Sequence, residues 1–380
     1  MKIGIVCYPT FGGSGVVATE LGKALAGNGH QVHFITYSQP ARLDFFSANL
    51  FYHEVTISKY PLFDFPPYEL ALASKLVDVV RFEKLDLLHV HYAIPHASAA
   101  FMAKQILRTY GIEIPVVTTL HGTDITLVGK DPSYNPVVTF SINQSDGVTA
   151  VSENLKKDTL NHFEINKNIK VIPNFIDFNR FSLKPRAHFK KAIAPNDEPI
   201  LVHTSNFRRV KRTGDVIRVF KKIQEKMRCK LLMVGDGPDR VNAEQLCREL
   251  NVCEDVRFLG KQEAIEEILS VSDLFLMPSE SESFGLAALE AMACGVPVIS
   301  SNTGGLPELN VHGVTGFLDQ VGDVNAMAEH ALHILGDPDH LERFKAAALE
   351  RAKDFELGLI LPIYEQYYQE VLDKLHEKVG

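Results

Sequence analysis

Glu282 and Glu290 stand eight residues apart with Gly285 between them. Before them, the apolar run 274–277 reads as a buried strand; after them, the run 287–293 reads as a helix. A helix starting near Ser283 would aim free N–H groups and the positive end of its dipole into the turn, a ready seat for phosphate. The carboxylates would repel a phosphate, but they accept hydrogen bonds from hydroxyls. A nucleotide sugar, with a diphosphate at its centre and a sugar at each end, suits both features. A glutamate at a helix start also serves as a plain dipole partner. The rest of this helix is apolar, however, so Glu290 is expected to be partly buried and to need a partner. A second strand, glycine turn and helix follow at 300–308, carrying Gly304 and Gly305.

Other strand ends carry similar signals. Gly12, Gly13 and Gly15 follow the first apolar run, and the N–H groups of Ser14, Gly15 and Val16 can face an anion. Their spacing differs from the dinucleotide fingerprint. Arg208, Arg209, Lys211 and Arg212 cluster after run 200–205, where they suit a phosphate clamp as well as a solvated basic turn. Gly235 and Gly237 close another strand. His121 sits at a strand end beside Gly122 and Asp124, as scaffold or as a group facing a sugar. His89, His91 and His96 also cluster, but no cysteine or paired carboxylate completes a metal site. Tyr92 and His96 read better as hydrogen bonders lining a cleft. The Asp-x-Asp at Asp337 and Asp339 reads as a helix stop and N-cap, not as a metal site for diphosphate. No metal and no cofactor are therefore expected.

Positioning these groups requires a repeated scaffold. Short apolar runs alternate with amphipathic ones, the signature of parallel sheets covered by helices. Segment 173–199, rich in Pro, Asn and Lys, interrupts the rhythm and reads as a connection. The expected fold is α/β: two doubly wound Rossmann-like domains, 1–172 and 173–357, facing a cleft, with a last helix at 358–380 crossing back to the first. Ligands are then expected at the carboxyl ends of the strands.

The chain has 380 residues, 46% of them hydrophobic and 23% charged, enough for two full cores. A net charge of −8 argues against nucleic acid and against a basic membrane face. No apolar run nears the ~18 residues of a membrane span. A first strand beginning at Lys2 leaves no room for a signal peptide. Five scattered cysteines read as free thiols of a reducing cytoplasm. A homo-oligomer stays open. With no tryptophan, stacking on a sugar or base falls to Tyr, Phe or Arg.

In order along the chain, the 12–15 loop, His121–Gly122, the run 174–177, Lys211, the run 235–238, Glu282 with Glu290, and Gly304–Gly305 resemble the retaining glycosyltransferases of family 4, which have the GT-B architecture. The runs 7–20, 89–96, 120–126 and 205–212 are similar to a branch that moves N-acetylglucosamine from UDP-N-acetylglucosamine to L-malate, the first step of bacillithiol biosynthesis. The resemblance implies that Lys211 neutralises the donor diphosphate with help from Arg208 or Arg209. The family's usual arginine before that lysine is Asn206 here, so which of the two arginines serves stays open. It further implies that Glu290 takes the ribose hydroxyls and Glu282 the transferred sugar. The N–H groups from Phe284 through Gly285 to Leu286, next to Ser283, would meet the distal phosphate, with Gly15 also near the donor. His121 would lie beside the sugar, while Tyr92, Thr119 and the Ser14 turn would face the acceptor. It implies a front-face substitution in which the leaving diphosphate takes the acceptor's proton; Asp124 is the one candidate for a nucleophile instead. Alternatives are another small acceptor, a UDP-sugar epimerase of the same architecture, or a sensor that binds donor without turnover.

Overall fold

The computed structural model describes residues 1–43, 47–57, 67–127, 131–182 and 187–379. Residues 183–186 of the expected connection lie outside the described set. The chain divides into two compact units: Met1–Asn174 with Gly358–Gly380, and Phe175–Leu357.

Among the described residues, the first unit holds seven parallel strands: β1 (Lys2–Val6), β2 (Gln31–Thr36), β3 (Leu50–Glu54), β4 (Leu87–His91), β5 (Val116–Leu120), β6 (Gly147–Ala150) and β7 (Ile169–Val171). Their order is β3-β2-β1-β4-β5-β6-β7, so the direction of winding reverses between β1 and β4. Central strands β4, β5 and β6 are buried along their whole length, because helices cover both faces. The last helix, Leu357–Val379, packs on this sheet from Gly358 onward. Its Tyr364 and Tyr368 are fully buried. Tyr368 Oη lies 2.7 Å from His89 Nδ1, and the Val148 N–H donates to Tyr367 Oη at 2.9 Å.

The second unit holds β8 (Ile200–Ser205), β9 (Lys230–Gly235), β10 (Val256–Gly260), β11 (Leu274–Met277), β12 (Val298–Ser301) and β13 (Gly316–Asp319). The order β10-β9-β8-β11-β12-β13 is again parallel and reverses between β8 and β11. Phe207, Phe220, Leu231, Met233 and Ile299 belong to its core. In each unit, loops from two diverging strands meet at the reversal, where an open α/β sheet seats a ligand.

The sequence pattern missed some elements. β7 and β13 have three and four residues, too few to show a period. A helix, Ala187–Ile193, lies inside the expected connection. After β4 the chain turns at Ala93–Ala97, with Ile94 in a non-helical conformation, before the helix Ser98–Arg108 begins.

Candidate active site

In the second unit, three loops interlock. The loop after β8 turns inward at Phe207, whose fully buried ring (φ 38°) anchors the exposed Asn206, Arg208 and Arg209 to the core. A 3₁₀ turn at Arg209–Lys211 follows, and the Val210 carbonyl accepts the Glu280 N–H of the loop after β11 at 2.8 Å. The Glu282 carbonyl in turn accepts the Gly305 N–H of the loop after β12 at 2.9 Å. Glycine is forced at two contacts. A Cβ on Gly304 (φ 58°) would stand 1.8 Å from the Glu282 carbonyl oxygen, and one on Gly235 (φ 123°) would stand 1.8 Å from that of Ser205.

This frame brings Lys211 Nζ to 2.5 Å from Glu282 Oε1, which also accepts from Ser279 Oγ at 2.8 Å. The lysine expected to clamp a phosphate and the carboxylate expected to accept hydroxyls are thus paired with each other. Arg212, expected within the basic cluster, is not part of it. Its guanidinium meets Asp215 at 2.6 Å, and Asp215 also takes Arg218 at 2.9 Å.

The helix after β11 is Leu286–Ala293, capped by Gly285 in the left-handed region, so it starts three residues later than the expected Ser283. The first-turn N–H groups that a phosphate can use are those of Gly285 and its successors. Ser283 lies ahead of that turn. The Phe284 side chain is buried against Phe355, ring centroids 5.5 Å apart, so only its backbone is available to a ligand. Glu290 is 7% exposed, as the apolar helix implied.

A residue that sequence reasoning passed over supports the clamp loop. His203, fully buried, places Nδ1 2.8 Å from the Leu276 carbonyl and Nε2 2.8 Å from Ser205 Oγ. A carbonyl only accepts, so Nδ1 carries the proton and Nε2 accepts from the Ser205 hydroxyl. Ser205 Oγ then accepts the Phe207 N–H at 3.2 Å. Burial pushes the His203 pKa down to about 4 and keeps the ring neutral. The sequence signal was a histidine directly after the apolar run 200–202.

In the first unit, the loops after β1, β4 and β5 converge. Gly15 packs so closely that a Cβ would lie 2.4 Å from the Tyr8 carbonyl oxygen. Tyr92 (φ 90°) donates its hydroxyl to Ser14 Oγ at 2.6 Å, and its ring lies 5.3 Å from that of His121. His121 Nε2 is 2.7 Å from His91 Nδ1, and burial lowers the His121 pKa to about 3. Ser14, Tyr92 and His121 are therefore brought together.

Two expected acceptor ligands are not. Thr119 is fully buried in β5, its hydroxyl held by His89 Nε2 at 2.7 Å and Thr149 Oγ1 at 2.6 Å. His96 is also fully buried, with Nδ1 donating to the His91 carbonyl at 2.5 Å. Both are scaffold: Thr119 lies in β5, which is buried along its whole length, and His96 is packed inside the turn that follows β4. Asp124 is 2% exposed; Oδ2 accepts the Ala93 N–H at 2.9 Å and Oδ1 the Gly122 N–H at 3.0 Å. Burial raises its pKa to about 6. It ties the turns after β4 and β5 together and is poorly placed to attack a sugar.

Asp337 caps the helix Pro338–Lys353 by accepting the Asp339 N–H at 2.9 Å, as its spacing suggested. Cys7, Cys229, Cys247 and Cys294 are buried free thiols and Cys253 an exposed one. Among the described residues, no helix is long and apolar enough to cross a membrane.

Two such sheets, with a lysine–glutamate pair and a helix start at the reversal of the second, define a glycosyltransferase of GT-B architecture. The chain belongs to glycosyltransferase family 4: residues 11–180 match the model described as Glycosyltransferase Family 4, and residues 185–351 match Glycosyl transferases group 1. It is 49% identical over 374 residues to N-acetyl-alpha-D-glucosaminyl L-malate synthase of Bacillus anthracis, covering 98% of this chain and 97% of that one. Sucrose-phosphate synthase from Thermosynechococcus elongatus has the same fold, with a TM-score of 0.80 at 24% identity, covering 98% of this chain and 100% of that one. So does Anabaena HepE, solved with UDP-glucose, with a TM-score of 0.81 at 22% identity over 99% of this chain and 100% of that one.

Proposed function

We propose that this protein transfers N-acetylglucosamine from UDP-N-acetylglucosamine to the hydroxyl of L-malate with retention of configuration, the first step of bacillithiol biosynthesis. The carrying observation is the 49% identity, nearly end to end, with a relative named for that product. In this reading Lys211 leaves Glu282 to neutralise the donor diphosphate, assisted by Arg208 or Arg209. The N–H groups from Gly285 onward meet the distal phosphate, while Glu290 accepts from the ribose. Glu282, freed from Lys211, accepts hydroxyls of the transferred sugar. Ser14 and Tyr92 serve the acceptor, with His121 beside the sugar.

A double displacement needs a carboxylate about 3 Å from the anomeric carbon. The held position of Asp124 supports a front-face substitution instead. The malate hydroxyl attacks on the face that UDP leaves, and the departing phosphate oxygen takes its proton. Preorganised positive charge on the diphosphate is then the main catalytic contribution. That charge comes from Lys211 and the helix start, so we further propose that turnover needs no divalent cation. Chelator-stripped enzyme that works only after magnesium or manganese is added overturns that point.

A UDP-release assay with UDP-N-acetylglucosamine and L-malate, D-malate, glycerate or inositol phosphate tests the acceptor. Release should be fastest with L-malate. Faster release with inositol phosphate overturns the assignment, and an epimer formed from donor alone identifies the epimerase alternative.

A further inference from the structure

At the far edge of the first sheet, β2 and β3 place two histidines on one face. His33 Nδ1 lies 2.9 Å from His53 Nε2, and the rings stack with centroids 5.2 Å apart. Glu83, the last residue of the helix Tyr68–Glu83, completes a group in which one donor atom from each side chain lies within 4.8 Å of the others. Among the described residues, no other three His, Cys, Asp or Glu side chains come this close.

Packing alone does not account for this group. His33 is 1% exposed, and its Nε2 has no hydrogen-bond partner among the described residues. A buried imidazole with one polar contact is costly unless something else needs it. The Glu83 carboxylate has no ion-pair partner among the described residues; Lys2 Nζ donates to the Glu83 backbone carbonyl at 3.0 Å instead. Lys75, on the same helix, pairs with Asp78 at 3.7 Å. Strand β3 buries little apolar surface of its own, and Phe51, stacked on His33, is 37% exposed.

We propose that His33, His53 and Glu83 form a binding site for a divalent transition metal of the zinc class. Two imidazoles and a carboxylate are a zinc donor set that leaves a fourth position for water. Ligands about 2.0–2.2 Å from zinc stand roughly 3.3 Å from one another in a tetrahedron. His33 Nδ1 and His53 Nε2, 2.9 Å apart as a hydrogen-bonded pair, would part slightly to reach that spacing, and a carboxylate oxygen of the partly buried Glu83 lies within 4.8 Å of both. The metal would fasten the edge strand to β2 and to the helix end. It stands apart from the loops assigned to donor and acceptor, so the inference does not depend on the reaction proposed above.

Equilibrium dialysis of the intact protein against zinc, and titration with cobalt(II) followed by absorption, test the site. Wild type should retain one equivalent, show a tetrahedral cobalt spectrum and melt at a higher temperature with zinc. Glu83→Gln and His53→Gln should each remove that equivalent and the thermal shift while keeping wild-type circular dichroism and UDP affinity. Failure of the wild type to retain zinc overturns the proposal whatever the variants do. So does an octahedral cobalt spectrum, or undiminished zinc in both variants, which would place the metal on cysteines or other groups.

Discussion

The Lys211–Glu282 pair yields the sharpest prediction, because its two halves should respond oppositely to UDP. Their side chains are 22% and 11% exposed, and the contact is 2.5 Å. In Lys211→Ala the diphosphate loses one charged hydrogen bond, roughly 1.5–3 kcal/mol, or about 10- to 150-fold in UDP affinity. Glu282→Gln removes no contact to UDP itself, since the carboxylate is assigned to the transferred sugar. It weakens the tie that Lys211 must break, a tie worth about 0–1 kcal/mol for a pair that solvent still reaches. UDP affinity should therefore hold or rise by up to about fivefold, while turnover of UDP-N-acetylglucosamine falls at least tenfold. Ser279 can still hydrogen-bond an amide at 282, so the loop should keep its place. Calorimetry with UDP, turnover with the full donor and melting temperatures separate these effects. If Glu282→Gln weakens UDP as much as Lys211→Ala does, the pair is scaffold and the division of roles fails.

Gly304→Ala should lower donor affinity at least tenfold, because its methyl would stand 1.8 Å from the Glu282 carbonyl oxygen; Gly27→Ala, where nothing lies within 4 Å, should leave UDP calorimetry unchanged. Tyr92→Phe, which removes the 2.6 Å bond to Ser14, should raise the malate KM more than the donor KM in initial-rate assays. Burial depresses His96 and His203 to about 4, and His89 and His121 to about 3, from 6.5. These rings are neutral when folded and take up protons when unfolded, so their stability contribution is complete above pH 6.5 and is lost as pH falls toward 4. At roughly 3 kcal/mol each they rival a typical total stability of about 5–15 kcal/mol. Denaturant melts should thus give an unfolding midpoint above pH 4 with uptake of more than one proton. Asp124, raised from 3.8 to about 6, acts in the opposite sense, a single carboxylate against these rings and against His33, which burial also lowers to about 4. A midpoint below pH 4 would contradict the neutral rings.

Sequence carried the architecture because β–α alternation and glycine turns are local signals. It also carried the burial of Glu290, since seven apolar neighbours at 286–293 leave that helix no polar face. It could not show that Arg212 turns to Asp215, because both outcomes put the same cations at the same spacing. Nor could it separate Tyr92, in a turn at the strand end, from Thr119, inside β5 against His89 and Thr149. His33, His53 and Glu83 are 20 and 30 residues apart, and only the pairing of β2 with β3 and the return of the helix bring them together.

The central claim is the reaction itself, and its most direct test is the structure of the product. Purified enzyme given UDP-N-acetylglucosamine and L-malate should release UDP and form one new compound. Its mass should equal N-acetylglucosamine joined to malate with loss of water, and its anomeric proton coupling should be that of an α linkage. A β linkage would contradict retention, and no glucosaminyl malate at all would contradict the proposed acceptor.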